Sequence, residues 1–256
     1  MFNLRLTTIF ISALLLSCSP EPVSLEVSPE PAAVSGLNGL VDETQRFNDW
    51  RDEEWEEQLR FSPQTQTSLG LKTDYNRLDD YTLAAQDAEI GWLRESVAEM
   101  ESEFNYQTLS DEGKLSWDMW KDSLTVAEEG TPFRNHQYLF GRGGIHARLP
   151  NFLINLHSVE TLEDMEAYIA RLREIDRVLN EVLLKAQQNA IDGKRPPGFA
   201  YDFAIAEIDR IIEGAPFNAT DTSPNSPLWI DTREKIDSLE ANGLIDPEAA
   251  ERLESD

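Results

Sequence analysis

The chain has 256 residues, with 22 Lys and Arg against 48 Asp and Glu, for a formal charge of −26. So acidic a surface repels polyphosphate, which excludes nucleic acid as a partner, and it does not lie flat on anionic lipid. Hydrophobic residues make up 40% of the chain, with 6 Trp, 11 Phe and 6 Tyr, enough for the core of one large domain or two small ones.

Arg5 supplies a short positive n-region. Leu6 to Leu16 is apolar apart from Thr7, Thr8 and Ser12. At about eleven residues this run suits a signal h-region and is too short to span a bilayer. It ends in Leu15-Leu16-Ser17-Cys18, and Cys18 is the only cysteine, so no disulfide braces the fold. A small residue directly before a cysteine, with leucines upstream, resembles the bacterial lipobox. That resemblance implies removal of residues 1–17, diacylglycerol on the Cys18 thiol, and attachment to a membrane by lipid instead of by a helix. The alternative is an ordinary signal peptide with an incidental cysteine. Ser19 lacks the acid that favours inner-membrane retention in some bacteria, so the expected location is the cell envelope, facing the periplasm, at the outer membrane. Residues 18–37 carry Pro20, Pro22, Pro29 and Pro31 without a hydrophobic period and read as an extended tether.

From Leu40 onward the periodicity is helical. Phe47, Trp50, Trp55 and Leu59 mark a first helix. Ser62-Pro63 opens a short one that stops near Gly70. Leu83, Ile90, Leu93, Val97, Met100 and Phe104 form one stripe on a long amphipathic helix. Ser110 caps a helix carrying Leu115, Trp117, Trp120 and Leu124, closed by Gly130 and Pro132. Thr161-Leu162-Glu163-Asp164 resembles a capping box, and helical steps run from Met165 through Val182, Ala186 and Ala190 to Gly193. Phe203, Ala204, Ile208 and Ile211 mark another helix, followed by one with Ile230, Ile236 and Leu239, and a last one from Pro247. No segment shows strand alternation, so the fold class is all-α: an array of long amphipathic helices. The last helix ends Glu251-Arg252-Leu253-Glu254-Ser255-Asp256. Acids at a helix C-terminus oppose its dipole, so either this end frays or the sequence stops inside a larger domain.

The segment from Gly130 to Leu149 concentrates Gly141, Gly143 and Gly144 with Arg134, Arg142 and Arg148 and two of the three histidines. It reads as a long loop. Its arginines are candidates to grip a carboxylate, such as a peptide C-terminus, at a substrate cleft; otherwise they pair with surrounding acids. His136, His146 and His157 lack the i, i+4 spacing of zinc ligands and read as surface or loop histidines. No catalytic or metal residue is assigned in the chain, and no cofactor.

Several pieces together resemble the N-terminal half of a bacterial family known as domain of unknown function 885. They are the opening helix leading into Phe61-Ser62-Pro63 and Leu69-Gly70, the loop ending Leu149-Pro150-Asn151-Phe152-Leu153, and the run Thr161, Glu163-Asp164, Tyr168-Ile169 and Arg171-Leu172. The resemblance implies an exported lipoprotein, in full-length relatives more than twice this length, with the fold of a helical zinc peptidase. Such relatives carry a His-Glu-x-x-His helix, which this sequence lacks. No zinc ligand or catalytic glutamate therefore carries over, and zinc is expected only in a full-length relative. The implied reading is a helical domain over 38–256, truncated at its C-terminal end. It would form one wall of a peptide cleft and be inactive alone. A complete short helical lipoprotein that binds or scaffolds a periplasmic partner is the alternative.

Overall fold

A computed structural model describes residues 33–218 and 225–255, with side chains from residue 43 on. Residues 1–17, expected to be a signal peptide, Cys18 and most of the span expected to be a tether lie outside the described residues. Among them there are nine α-helices and no strand: α1 (Ala33–Leu59), α2 (Pro63–Ser68), α3 (Leu83–Glu103), α4 (Asp111–Gly130), α5 (Ile145–Leu156), α6 (Leu162–Ile191), α7 (Gly198–Ile211), α8 (Pro227–Ala241) and α9 (Pro247–Ser255). The fold is all-α. None of these helices is long and apolar enough to cross a membrane. Helix α1 begins at Ala33, inside the span read as tether, because no proline follows Pro31 to forbid it.

Side chains satisfy the helix starts as their residue types imply. Ser62 accepts from the Thr65 N–H at α2, Thr82 from Ala85 at α3, and Ser110 from Gly113 at α4. At α6 the Thr161 hydroxyl accepts from the Asp164 N–H while the Asp164 carboxylate accepts from the Thr161 N–H, a reciprocal capping box. Leu253 of α9 is buried and Glu254 pairs with Arg233 at 2.6 Å, so the acidic end is held by a cation from α8.

Two apolar cores result. The first joins α1, α3 and α4 through Phe47, Leu93, Val97, Met100, Phe104, Trp117 and Trp120. Its aromatic rings meet mostly edge-on or tilted, with Phe47–Phe104 centroids 5.3 Å apart and Phe47–Trp50 stacked, and the Trp120 indole N–H donates to Ser96 Oγ at 3.0 Å. Leu115, read as part of this stripe, is 61% exposed, two residues off the buried Trp117 face. The second core unites α5, α6, α8 and α9 around Leu149, Leu153, Met165, Tyr168, Val178, Ile236 and Leu239.

Arg171, on α6, joins the second core to α2 and the turn after it. It is fully buried. Its Nε donates to Arg77 O at 2.8 Å, and its Nη2 to Thr67 Oγ1 at 2.7 Å and Pro63 O at 3.3 Å. Nη1 lies 2.9 Å from His157 Nδ1, and the guanidinium stacks over Tyr75 and Phe152 at 5.0 and 5.1 Å. Because His157 Nδ1 must accept from Arg171, its proton sits on Nε2, which donates to Asp164 O at 3.1 Å. Burial, with the Arg171 charge adding to it, pushes His157 down to about 4, and burial holds Arg171 down to about 10. Two of the three histidines read as surface or loop groups are therefore interior: His157 here and His146 on α5, each below a tenth exposed. Both sit beside helix ends that fold onto the second core, which carries them inward.

Candidate functional site

The segment between α4 and α5 is shorter than its composition implied. Helix α4 gives way to a single 3-10 turn, Thr131–Phe133, and α5 starts at Ile145, so His146, Arg148 and Pro150 are helical. Pro150 inside α5 forfeits a backbone hydrogen bond, at a cost of about 3 kcal/mol in an isolated helix. Burial of Leu149, Phe152 and Leu153 on either side offsets it.

Two glycines shape the end of this segment. Gly143 holds φ +66, a conformation that side chains other than glycine rarely adopt, and this turns its N–H onto Glu207 of α7, 3.2 Å from Oε2. A Cβ on Gly144 would lie 2.8 Å from Leu139 O and 2.8 Å from the His146 ring, so only glycine fits. The same Glu207 oxygen lies 3.0 Å from His146 Nε2, which fixes α7 to the start of α5.

The segment borders three cavities. One, of about 280 Å³, is walled by Gln86, Glu89 and Ile90 of α3 and by Arg134 and Gln137. Arg134 pairs here with Asp87. A second, also about 280 Å³, lies between Tyr81, Leu83, Asn135 and the α6 residues Leu184, Lys185 and Asn189. A third, of about 30 Å³, touches Leu139, Phe140 and Asn189 and has room for about one water.

The second cavity carries the chemistry. The side-chain oxygens of Asn135 and Asn189 are buried without a hydrogen-bond partner, and Asn189 is only 4% exposed. Buried amides are nearly always paired, so two orphaned oxygens on one cavity mark a place where a donor is wanted. Lys185 stands beside them, its ammonium held below the usual lysine range by burial and by the charge of Arg134. Burial raises Tyr81, and the charge of Arg148 partly counters that rise. The three arginines do not converge on this cavity: Arg134 lines the first one and pairs with Asp87, and Arg142 and Arg148 are both exposed. The arrangement offers amide acceptors and an ammonium beside Leu83 and Leu184, with Thr82, Gln188 and the Glu181 carboxylate, which pairs with Arg177, completing the wall.

The sequence reading missed Lys185, Asn135 and Asn189. It took the end of the α6 stripe to be Ala186 and Ala190, where the structure buries Asn189 instead. An asparagine one position off an apolar stripe was the available signal.

The residues present do not make a zinc site. The sequence has no His-Glu-x-x-His, and among the described residues no three His, Cys, Asp or Glu side chains come together in a group able to hold a metal ion.

Residues 63–255 match the family described as "Bacterial protein of unknown function (DUF885)". The matched span takes in α2 to α9, both sides of the second cavity and the Arg171 network, and it leaves α1 outside. No curated protein matches the chain. The chain belongs to the bacterial DUF885 family.

Proposed function

We propose that residues 38–256 are the helical N-terminal region of an exported, lipid-anchored, zinc-metallopeptidase-like protein. They contribute a wall of its substrate cleft and no catalytic group. Cys18 carries the lipid, and the cavity between Asn135 and α6 receives the carboxylate-bearing end of a peptide. The observation that carries this reading is the meeting of Lys185 and two orphaned amide oxygens at one cavity, with Arg134 in the wall of the neighbouring one. A peptide terminus supplies an amide N–H for the Asn oxygens and an anion for the Lys185 ammonium. In a chain at −26, the Lys185 ammonium is the feature that lets a carboxylate approach.

A second feature favours a role within a larger assembly. Leu184, Ile191, Phe199 and Phe203 on α6 and α7 are 67%, 76%, 63% and 49% exposed. Apolar side chains gathered like this mark surfaces that work against further polypeptide.

The test is equilibrium binding of fluorescent short peptides to the full chain in detergent. Wild type binds saturably, and Asn189→Leu and Arg134→Ala each weaken binding while the fold is retained by circular dichroism. Binding unchanged in both variants, or absent in wild type, overturns the cleft reading.

A further inference from the structure

A separate cavity of about 300 Å³ opens further along α6. It is walled by Ile169 and Leu172 of α6, Leu228 and Trp229 of α8, Leu253 of α9, and Phe217. Leu172 precedes Lys185 by thirteen positions on one helix, which places this cavity about 20 Å along the rod from the cleft. Its size falls at the low end of cavities that hold small-molecule ligands.

One polar group in the wall has no structural use. Ser226 occupies the N-cap position of α8, but its hydroxyl makes no capping bond to the helix. Its backbone is fully engaged: the N–H donates to Ala215 O at 3.1 Å, and the carbonyl accepts from Ile230 N at 3.0 Å. Only the hydroxyl is left over: it is buried and without a partner, on a residue that is 1% exposed and forms part of the cavity wall. Serine at an N-cap ordinarily satisfies a helix N–H, and a buried hydroxyl that bonds to nothing is unfavourable. A ligand with one hydrogen-bonding group removes that deficit.

The charges at this cavity do not select an ion. Glu254 is paired with Arg233, which also lies over the Trp229 ring at 5.8 Å, and Arg173 is engaged in an interaction of its own. With the walls apolar and the charges committed, we propose that the cavity is a binding site for a small uncharged molecule. Such a molecule is apolar over most of its surface and carries one hydroxyl or amide that meets Ser226 Oγ. The proposal is independent of the peptide cleft.

The probes are 4-fluorophenol and fluorobenzene, which share a body and differ in the hydroxyl, followed by ¹⁹F NMR on the full chain. Wild type binds 4-fluorophenol saturably and about tenfold more tightly than fluorobenzene, the factor that one net hydrogen bond supplies. Ser226→Ala, which removes a hydroxyl with no partner and so leaves the fold intact, makes the two probes equal. Leu172→Trp fills the cavity and abolishes both. Absence of saturable binding in wild type overturns the proposal, as does a preference for the phenol that survives Ser226→Ala. If Leu172→Trp does not fold, the Ser226→Ala comparison decides alone.

Discussion

Replacing Arg171 with methionine tests how the two cores are held together. The guanidinium is fully buried and, among the described residues, has no carboxylate within hydrogen-bonding distance. Its contacts among the described residues are the carbonyls of Arg77, Pro63 and, at 3.5 Å, Asp74, with the Thr67 hydroxyl and His157 Nδ1. Hydrogen bonds from a charged donor are worth about 1.5–3 kcal/mol each, and three of these are 2.9 Å or shorter. Burying the cation costs several kcal/mol in the other direction, which the drop of Arg171 to about 10 registers. Methionine fills much of the volume and avoids that cost, but it leaves His157 Nδ1 and Arg77 O facing apolar atoms. The net loss is about 2–6 kcal/mol, from two buried neutral acceptors left unpaired at about 1–3 kcal/mol each. Arg171→Lys recovers only part of this, because an ammonium cannot span acceptors arranged around a planar fork. Urea denaturation followed by tryptophan fluorescence measures the change in midpoint at constant slope. A destabilisation of Arg171→Met below about 1 kcal/mol would refute the view that this residue joins α6 to α2.

Three further outcomes are expected. His157 is neutral when folded, with its titration pushed down to about 4 from 6.5. As pH falls below 6.5 the unfolded chain takes up a proton that the folded chain refuses, so up to about 3 kcal/mol of stability is lost between pH 6.5 and 4 and no more below that. An NMR titration of the His157 ring with a midpoint near 6.5 would contradict this. Gly144→Ala forces a Cβ against Leu139 O and the His146 ring, both 2.8 Å away. It should cost about 1–3 kcal/mol in thermal denaturation, and a neutral result would mean the turn is not closed as described. Cys18→Ala should abolish acylation and leave the protein uncleaved or soluble in the periplasm; a wild-type protein that fractionates as soluble, with no lipid mass on its mature N-terminus, would exclude the anchor.

Where helices begin was legible because single residues decide it: Ser62, Ser110 and Thr161 each carry the oxygen that the first turn needs, and each makes the bond. The end of the loop was not legible. Glycine and arginine content extends to Leu149, but helix α5 starts four residues earlier because its apolar residues find the second core. Nothing local marked Arg171 for burial, since an arginine on an amphipathic helix ordinarily lies at the surface. Its site is made by the turn after α2, where Asp74 takes φ +51 and the chain folds back over α6. The second cavity and its surroundings were half legible. Arg134 and Arg148 stood out by composition, but Lys185 and Asn189 come from a helix some fifty residues away in sequence and had no local mark.

The central claim is that the cavity beside Asn135, Lys185 and Asn189 recognises a peptide carboxylate. Its most direct test is fluorescence anisotropy with the full chain and one labelled peptide made in two forms, with a free C-terminal carboxylate and with a C-terminal amide. The account predicts that the carboxylate form binds about tenfold or more tightly, and that Lys185→Ala brings the two forms together. Equal affinity of the two forms for wild type, or a preference for the carboxylate that persists in Lys185→Ala, would contradict it.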